Sequence, residues 1–376
     1  MIIGEFCDVF PPELDGVGTV VSNYVKQLNN DGNKCYYVAP KPNKDMVIGI
    51  SSMNYTSIPI PKEAYRLGLP FIDISYNSLV SKTRFDIVHA HSPFTAGHEA
   101  KRVAKQKGIP IVASFHSKYY DDFYSKTHSD ILAKAVISYI VRFYYSCDEV
   151  WTVNPSSAEV LESYGYKRDI FIMPNGTDLW YPTEQDCKTA QEKFNLGDGK
   201  VFLFVGQQNF KKNIRHIIEA LALYAKKYDD FKMVFVGQGP DSEKIKQLVS
   251  DLGLSNRTVF TGQIVDRDIM KSIYGRADLL IFPSLYDTCG LVVREAAAAL
   301  TPSLVIRNSC ASEGMIHNEN GFLCEDTPES ICSCIIDALP LCNQVGIEAQ
   351  KVFPLPWSTV AQQVLTRYQT IIWRGK

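Results

Sequence analysis

Two doubly wound, Rossmann-like α/β domains are the architecture this 376-residue sequence predicts. Short apolar runs alternate with longer helical patterns from one end to the other, as in parallel sheets covered by helices on both faces. The length suits two domains of about 100–200 residues each. Between them, residues 174–183 gather proline, asparagine and glycine in PNGTDLWYPT, the composition of a linker. Ligands in such sheets sit at the carboxyl ends of the strands, so two domains facing each other would enclose a deep cleft.

Buried strands are expected over 1–6, 35–39, 87–90, 109–114, 149–153 and 170–173, and helices over 17–30, 96–107, 128–146 and 156–164. The second half repeats the scheme, with strands over 201–205, 233–236, 258–261, 279–282 and 303–306. Its helices are expected over 212–228, 242–252, 266–274 and 291–300. A last helical stretch, 357–373, follows Pro354 and Pro356 and can pack on either domain.

Composition excludes some classes. With 39 Lys plus Arg against 41 Asp plus Glu, the net charge is −2, and nothing argues for a nucleic-acid partner. The opening MIIGEFCDVF lacks the basic start of a signal peptide, and no uncharged run of about 18 apolar residues predicts a membrane span. The ten cysteines form no Cys-x-x-Cys pair; Cys332 and Cys334 fit helix packing better than a metal site. Reduced thiols and a cytoplasmic protein are the simplest expectation.

Three loops could carry chemistry. In PPELDGVGTVVSNY, Gly16 and Gly18 stand where a strand turns into a helix. They either make a tight turn or let the backbone approach an anionic ligand at a helix N-terminus. In FVGQQNFKKNIRH, Lys211 and Lys212 fall at an expected helix start, where the dipole disfavours cations by roughly 0.3–1 kcal/mol each. They are either solvated or opposite a bound diphosphate that reverses the sign. In FPSLYDTCGLVVREA, Asp287 precedes a helix and Glu295 lies within its first two turns. The pair either caps the helix and offsets its dipole, or addresses one ligand beside the N–H groups of Gly290 and Leu291.

In this order, the segments resemble the retaining glycosyltransferase family four, of the GT-B fold. The resemblance rests on Asp15-Gly16-Val17-Gly18, Asn175-Gly176-Thr177-Asp178, Gly206-Gln207 with Lys212-Asn213, and Asp287 with Glu295. It implies that Lys212 holds the donor diphosphate, with Gly16, Gly18, Gln207 and Lys211 also at the donor. Glu295 would bind the ribose, and Asp287 with Gly290 and Leu291 would meet the donor sugar. His116, in SFHSKY, matches the family's histidine beside the transferred sugar. The catalytic set implied is His116, Lys212 and Asp287. The last helix, within 357–376, would cross back to an acceptor-binding domain of residues 1–178, leaving 179–356 to bind the nucleotide sugar.

Two positions depart from the family pattern: Gln207 replaces an arginine, and Asp287 a glutamate. The resemblance implies transfer of a hexose from a UDP-sugar to a lipid or glycan acceptor, with retention by front-face attack and no covalent nucleophile. No cofactor is expected. Asp266 and Asp268 form an Asp-x-Asp that suits a helix N-cap, so no metal is expected either. The stretch FHSKYYDDFYSKTHSDILAKAVISYIVRFYYSCDEV resembles that of lipid-directed members, the diacylglycerol glucosyltransferases; its apolar residues either pack in the core or receive an acyl chain and give peripheral membrane contact. Residues 1–178 carry 18 Lys plus Arg against 19 Asp plus Glu, a weak attraction for anionic lipid. Rival readings are a nucleotide-sugar epimerase, a non-catalytic or weakly active nucleotide-sugar-binding protein and a dinucleotide-dependent oxidoreductase, the last lacking its three-glycine fingerprint.

Overall fold

A computed structural model describes residues 1–11, 16–42, 49–60 and 66–374. Asp15 of the glycine loop lies outside them. The chain divides into two compact units, Met1–Gly176 with Trp357–Lys376, and Thr177–Pro356.

In the first unit the strands are β1 (Ile2–Phe6), β2 (Lys34–Pro40), β3 (Ser52–Tyr55), β4 (Ser57–Pro59), β5 (Arg66–Gly68), β6 (Ile87–Ala90), β7 (Ile111–Phe115), β8 (Glu149–Thr152) and β9 (Ile170–Ile172). Seven of them form a parallel sheet in the order β3-β2-β1-β6-β7-β8-β9, and β4 pairs antiparallel with β5. Its helices are α1 (Gly16–Asn30), α2 (Ile74–Lys82), α3 (Thr95–Lys107), α4 (Tyr119–Thr127), α5 (Asp130–Tyr145) and α6 (Pro155–Ser163).

The second unit repeats the plan with β10 (Lys200–Val205), β11 (Phe231–Val236), β12 (Thr258–Gly262), β13 (Leu279–Phe282), β14 (Ser303–Ile306) and β15 (Phe322–Cys324). Their order is β12-β11-β10-β13-β14-β15, all parallel. Its helices are α7 (Glu184–Phe194), α8 (Ile214–Tyr224), α9 (Ser242–Asp251), α10 (Arg267–Arg276), α11 (Leu291–Ala298), α12 (Pro328–Ala338) and α13 (Cys342–Val352). The last helix, α14 (Trp357–Arg374), returns to the first unit and buries Trp357, Val360, Val364 and Tyr368 there.

Strands β6, β7, β13 and β14 are buried at every position, which is why they read as near-continuous apolar runs, broken by His89, Ser114 and Ser303, rather than alternating ones. In both sheets the order reverses beside the first strand: between β1 and β6, and between β10 and β13. These are topological switch points, where the loops diverge and leave a crevice at the strands' carboxyl ends.

Some expectations need correction. The helix expected over 128–146 is α5, preceded by the separate α4; His128 ends α4 in the left-handed conformation (φ 49°), and the Ser129 side chain caps α5. The helix expected from 212 begins at Ile214. Phe210–Lys212 form a 3-10 turn, and Asn213 (φ 61°) breaks the run before α8. The apolar stretch Pro328–Arg374 contains an 18-residue window of mean hydropathy 1.4, although no 18-residue window in it is free of charge. It folds as three helices of 11, 11 and 18 residues, each with a buried face, so the stretch is not one continuous helix. Cys332 and Cys334 lie on α12, with Cys334 in the core.

Candidate active site

The β10–β13 switch point gathers much of the chemistry expected of the second unit. The loop leaving β10 is held tightly by the loop leaving β11. A Cβ at Gly237 would lie 2.1 Å from the Gly206 carbonyl oxygen, and one at Gly239 would lie 2.3 Å from that of Gln208, so only glycine fits at either place. Gln208 is buried and donates its side-chain amide to the Gly237 carbonyl (2.8 Å). Asn209 caps the 3-10 turn by accepting from the Lys211 N–H (3.0 Å), and Asp241 accepts from the Phe210 N–H (3.1 Å). Asn213 donates across the switch point to the Pro283 carbonyl (3.3 Å), linking the loop after β10 to that after β13.

This frame aims Lys212 at Asp287. The ammonium donates to Oδ1 of Asp287, and Nζ lies 5.9 Å from the ring centroids of Phe282 and Tyr286. Both partners are largely shielded, Lys212 at 14% and Asp287 at 22% side-chain exposure. The other carboxylate oxygen of Asp287, Oδ2, is buried without a hydrogen-bond partner. Such an atom costs about 1–3 kcal/mol unless something else satisfies it. The next helix, α11, starts at Gly290 in the left-handed conformation (φ 60°), where no side chain caps its first turn. A Cβ there would lie 3.1 Å from that of Ala311. Leu291 is the first residue of α11.

Glu295 is already engaged. Its carboxylate accepts from Arg267 (3.0 Å) and from the Tyr274 hydroxyl (3.0 Å). The Arg267 guanidinium also stacks over Trp180, 4.8 Å from the ring centroid. Burial, and then the Glu295 charge, push the Tyr274 phenol well up, so it donates as a neutral hydroxyl. Gln207 is exposed on the loop after β10, and the Lys211 ammonium lies over the Tyr286 ring at 5.2 Å. Asp266 caps α10, accepting from the N–H groups of Asp268 (2.9 Å) and Ile269 (3.3 Å), as the sequence suggested.

In the first unit, Gly16 opens α1 and Gly18 is buried in its first turn. A Cβ at Gly18 would make only ordinary contact with Val9, at 3.4 Å, so packing within the unit does not by itself demand a glycine. His116 follows β7 and is half-buried; its Nε2 lies 3.1 Å from Nδ1 of His91. The other His91 nitrogen is 2.7 Å from Glu5 Oε2. Burial, and then the neighbouring His91, hold the His116 pKa well below the ordinary imidazole value. Gly176 of the Asn-Gly-Thr-Asp run has a packing role, since a Cβ would meet the Trp357 indole at 2.5 Å.

Comparison with known proteins bears on the family and the fold. Residues 14–181 match the model described as Glycosyltransferase Family 4, and residues 187–343 the one described as Glycosyl transferases group 1. The chain belongs to glycosyltransferase family 4. Among its relatives is the alpha-monoglucosyldiacylglycerol synthase of Streptococcus pneumoniae, 25% identical over 82% of this chain and 71% of that protein. The GDP-mannose-dependent alpha-mannosyltransferase of Corynebacterium glutamicum is 22% identical over 99% of this chain and 89% of its own. A solved structure of the same fold, Anabaena HepE in complex with UDP and glucose, has a TM-score of 0.79 at 18% identity, covering 98% of this chain and 100% of that one. This glycosyltransferase therefore has two Rossmann-like units of the GT-B kind.

Sequence reasoning overlooked Arg267 and the Glu5–His91 pair. Arg267 sits beside an Asp-x-Asp considered only for capping. Glu5 and His91 had a legible signal, because a carboxylate in the buried run IIGEF and two histidines in VHAHS are polar groups in an apolar setting, where they need partners.

Proposed function

We propose that this glycosyltransferase moves a hexose from a UDP-sugar to a lipid or glycan acceptor with retention of anomeric configuration. The observation that carries the donor assignment is the shielded Lys212–Asp287 pair, with its unsatisfied carboxylate oxygen, at the second unit's switch point. In this reading Lys212 turns from Asp287 to the donor diphosphate and stabilises the leaving group as negative charge develops. Asp287 Oδ2 accepts from a hydroxyl of the donor sugar, and the N–H groups at Gly290 and Leu291 face phosphate at the start of α11. Glu295 contacts the ribose, oriented by Tyr274 and Arg267. Lys211 supplies the second cation that Gln207 does not. In the first unit, Gly16 and Gly18 at the start of α1 and His116 after β7 are the residues proposed to take part in substrate binding. No metal and no cofactor take part.

Thermal stabilisation against UDP-, GDP-, ADP- and CMP-sugars tests the donor, since a ligand that binds only the folded state raises Tm by mass action. A shift with a UDP-sugar alone is expected. A shift with GDP-mannose alone would reject the UDP assignment. Turnover in EDTA is expected to equal turnover in magnesium; its loss and recovery with metal would overturn the metal-free mechanism.

The lipid acceptor is supported by the diacylglycerol-directed relative and by the first unit's surface. A recess of about 510 Å³ there is lined by Leu67, Leu69, Phe71, Phe94 and Tyr139, and Phe71 (72%), Ile74 (86%) and Ile131 (80%) are strongly exposed. An acyl chain fits such a lining, and Arg102 at its edge suits a polar headgroup. The protein is expected to float with vesicles containing anionic lipid, and Phe71→Asp with Ile74→Asp to remain at the bottom of the gradient. Equal flotation of both would remove this surface from the acceptor reading.

A further inference from the structure

Around Glu295 the second unit fixes an exposed arginine in one place. Arg267 opens α10, the helix that follows β12, and so stands on the side of the sheet where ligands sit. The Asp266 side chain caps that first turn. The Arg267 guanidinium lies over the Trp180 indole, 4.8 Å from the ring centroid, and donates from Nη1 to Glu295 Oε1 (3.0 Å). Yet the Arg267 side chain is 60% exposed, against 15% for Glu295. A long, exposed side chain gains little from one ion pair and gives up rotamer freedom to keep it. A flat cation laid on an indole as well is held in both position and orientation.

Its support is anchored in the unit. Trp180 is half-buried and packs on the second unit's core. Its backbone N–H donates to the Ala298 carbonyl at the end of α11 (3.1 Å), and its own carbonyl accepts from the Gln350 side chain of α13 (3.3 Å). The Trp180 ring lies 5.5 Å from that of Tyr274, which is fully buried and donates to Glu295 Oε2 (3.0 Å). The indole thus holds the guanidinium from one side and Glu295 holds it along one edge, while the rest of its surface is open to solvent.

We propose that the Arg267 guanidinium, backed by Trp180, is the platform on which the nucleobase of the donor stacks. This role rests on the reading of Glu295 as the ribose contact: the base is joined directly to the ribose, so its partner must lie next to Glu295, as Arg267 does. An ionised carboxylate offers about four acceptor positions. Arg267 takes one on Oε1 and Tyr274 one on Oε2, so each oxygen can still accept from a ribose hydroxyl. Arg267 also offsets the Glu295 charge, which would otherwise repel an anionic nucleotide. Bases stack on guanidinium planes as they do on aromatic rings. Val265, exposed on the loop into α10, adds apolar surface at the same end of that helix. Every base has a π-face, so the platform supplies affinity and leaves the choice of base to groups that meet its edge.

Calorimetric titration of the full-length protein with UDP, GDP and inorganic pyrophosphate tests this. Arg267→Lys keeps the charge beside Glu295 and removes the flat face; because the side chain is exposed, its replacement should not disturb folding. It should weaken whichever nucleotide the wild type binds about 10-fold, the usual scale for losing one stacked base, and leave pyrophosphate, which has no base, unchanged. Trp180→Phe keeps a smaller ring under the guanidinium and should weaken the nucleotide less. Equal nucleotide affinity in the wild type and Arg267→Lys overturns the platform. So does an equal loss for nucleotide and pyrophosphate, which would make Arg267 a source of positive charge alone. Glu295→Gln separates the platform from the reading beneath it. If Glu295→Gln weakens the nucleotide and Arg267→Lys does not, only the platform is rejected. If Glu295→Gln leaves nucleotide affinity unchanged, the ribose contact is rejected and the platform with it. Wild-type protein that binds neither UDP nor GDP rejects both as well.

Discussion

Replacing Lys212 with alanine should lower kcat about 10²-fold or more, by analogy with removing one preorganised stabiliser of developing charge. The lysine lies at the topological switch point and is mostly shielded from water, so its field on a departing diphosphate is weakly screened. Its pairing with Asp287 shapes the experiment. Removing Lys212 also leaves Asp287 as a partly buried anion without its paired ammonium, which costs stability. Melting curves of Lys212→Ala therefore have to accompany the kinetics. Asp287→Asn separates the two effects, because it keeps Lys212 and deletes only the charge. If the residues serve one donor, the double variant should lose less than the product of the single losses, as expected for groups acting together. A folded Lys212→Ala enzyme with wild-type kcat would exclude Lys212 from the donor chemistry.

Much of the fold was open to sequence reasoning because parallel strands buried on both faces leave a clear apolar run, as β13 does. Among the elements passed over are β3, α2, α7, β15 and α13, and the paired β4 and β5. The β4–β5 pair is three residues on each side, too short for any periodicity to appear. The start of α8 was misplaced because the amphipathic pattern continues through Lys212, whereas the left-handed Asn213 breaks the backbone. That shift matters for the site: the two lysines belong to a 3-10 turn outside α8, so their electrostatic strain is not with that helix's dipole. Lys212 is paired with the Asp287 carboxylate, which offsets its charge, and Lys211 lies over the Tyr286 ring. A pairing between residues 75 positions apart has no local signature, and the same is true of Arg267 with Glu295.

Trp151→Ala should destabilise the first unit by about 3–5 kcal/mol, the usual cost of removing a large buried aromatic side chain. Trp151 has no exposed surface, and its indole N–H donates to Glu149 (2.6 Å). Its ring stacks on Tyr368 of α14 (5.4 Å between centroids, 18° between planes) and lies against His89 (4.9 Å) and Phe171 (6.0 Å). Glu149 also binds Arg367 of α14 through Nε (2.7 Å) and Nη2 (2.5 Å), and Arg367 covers the Phe171 ring (4.2 Å). The indole is thus the packing floor beneath the helix that brings Tyr368 to Glu5. Its loss opens a cavity where β8 meets α14 and loosens the buried polar network above. Trp151→Phe keeps most of the ring contact and gives up the N–H donor while Glu149 retains Arg367, so it should cost less. Urea unfolding followed by circular dichroism checks both. The transition of the first unit should move to lower urea, and that of the second, whose core Trp151 does not enter, should stay in place. The alanine variant should then still be stabilised by the donor nucleotide sugar yet lose transfer at temperatures that melt only its first unit. A loss below about 1 kcal/mol would mean that α14 is held chiefly by the Arg367–Glu149 pair, a largely shielded ion pair with two hydrogen bonds to the carboxylate.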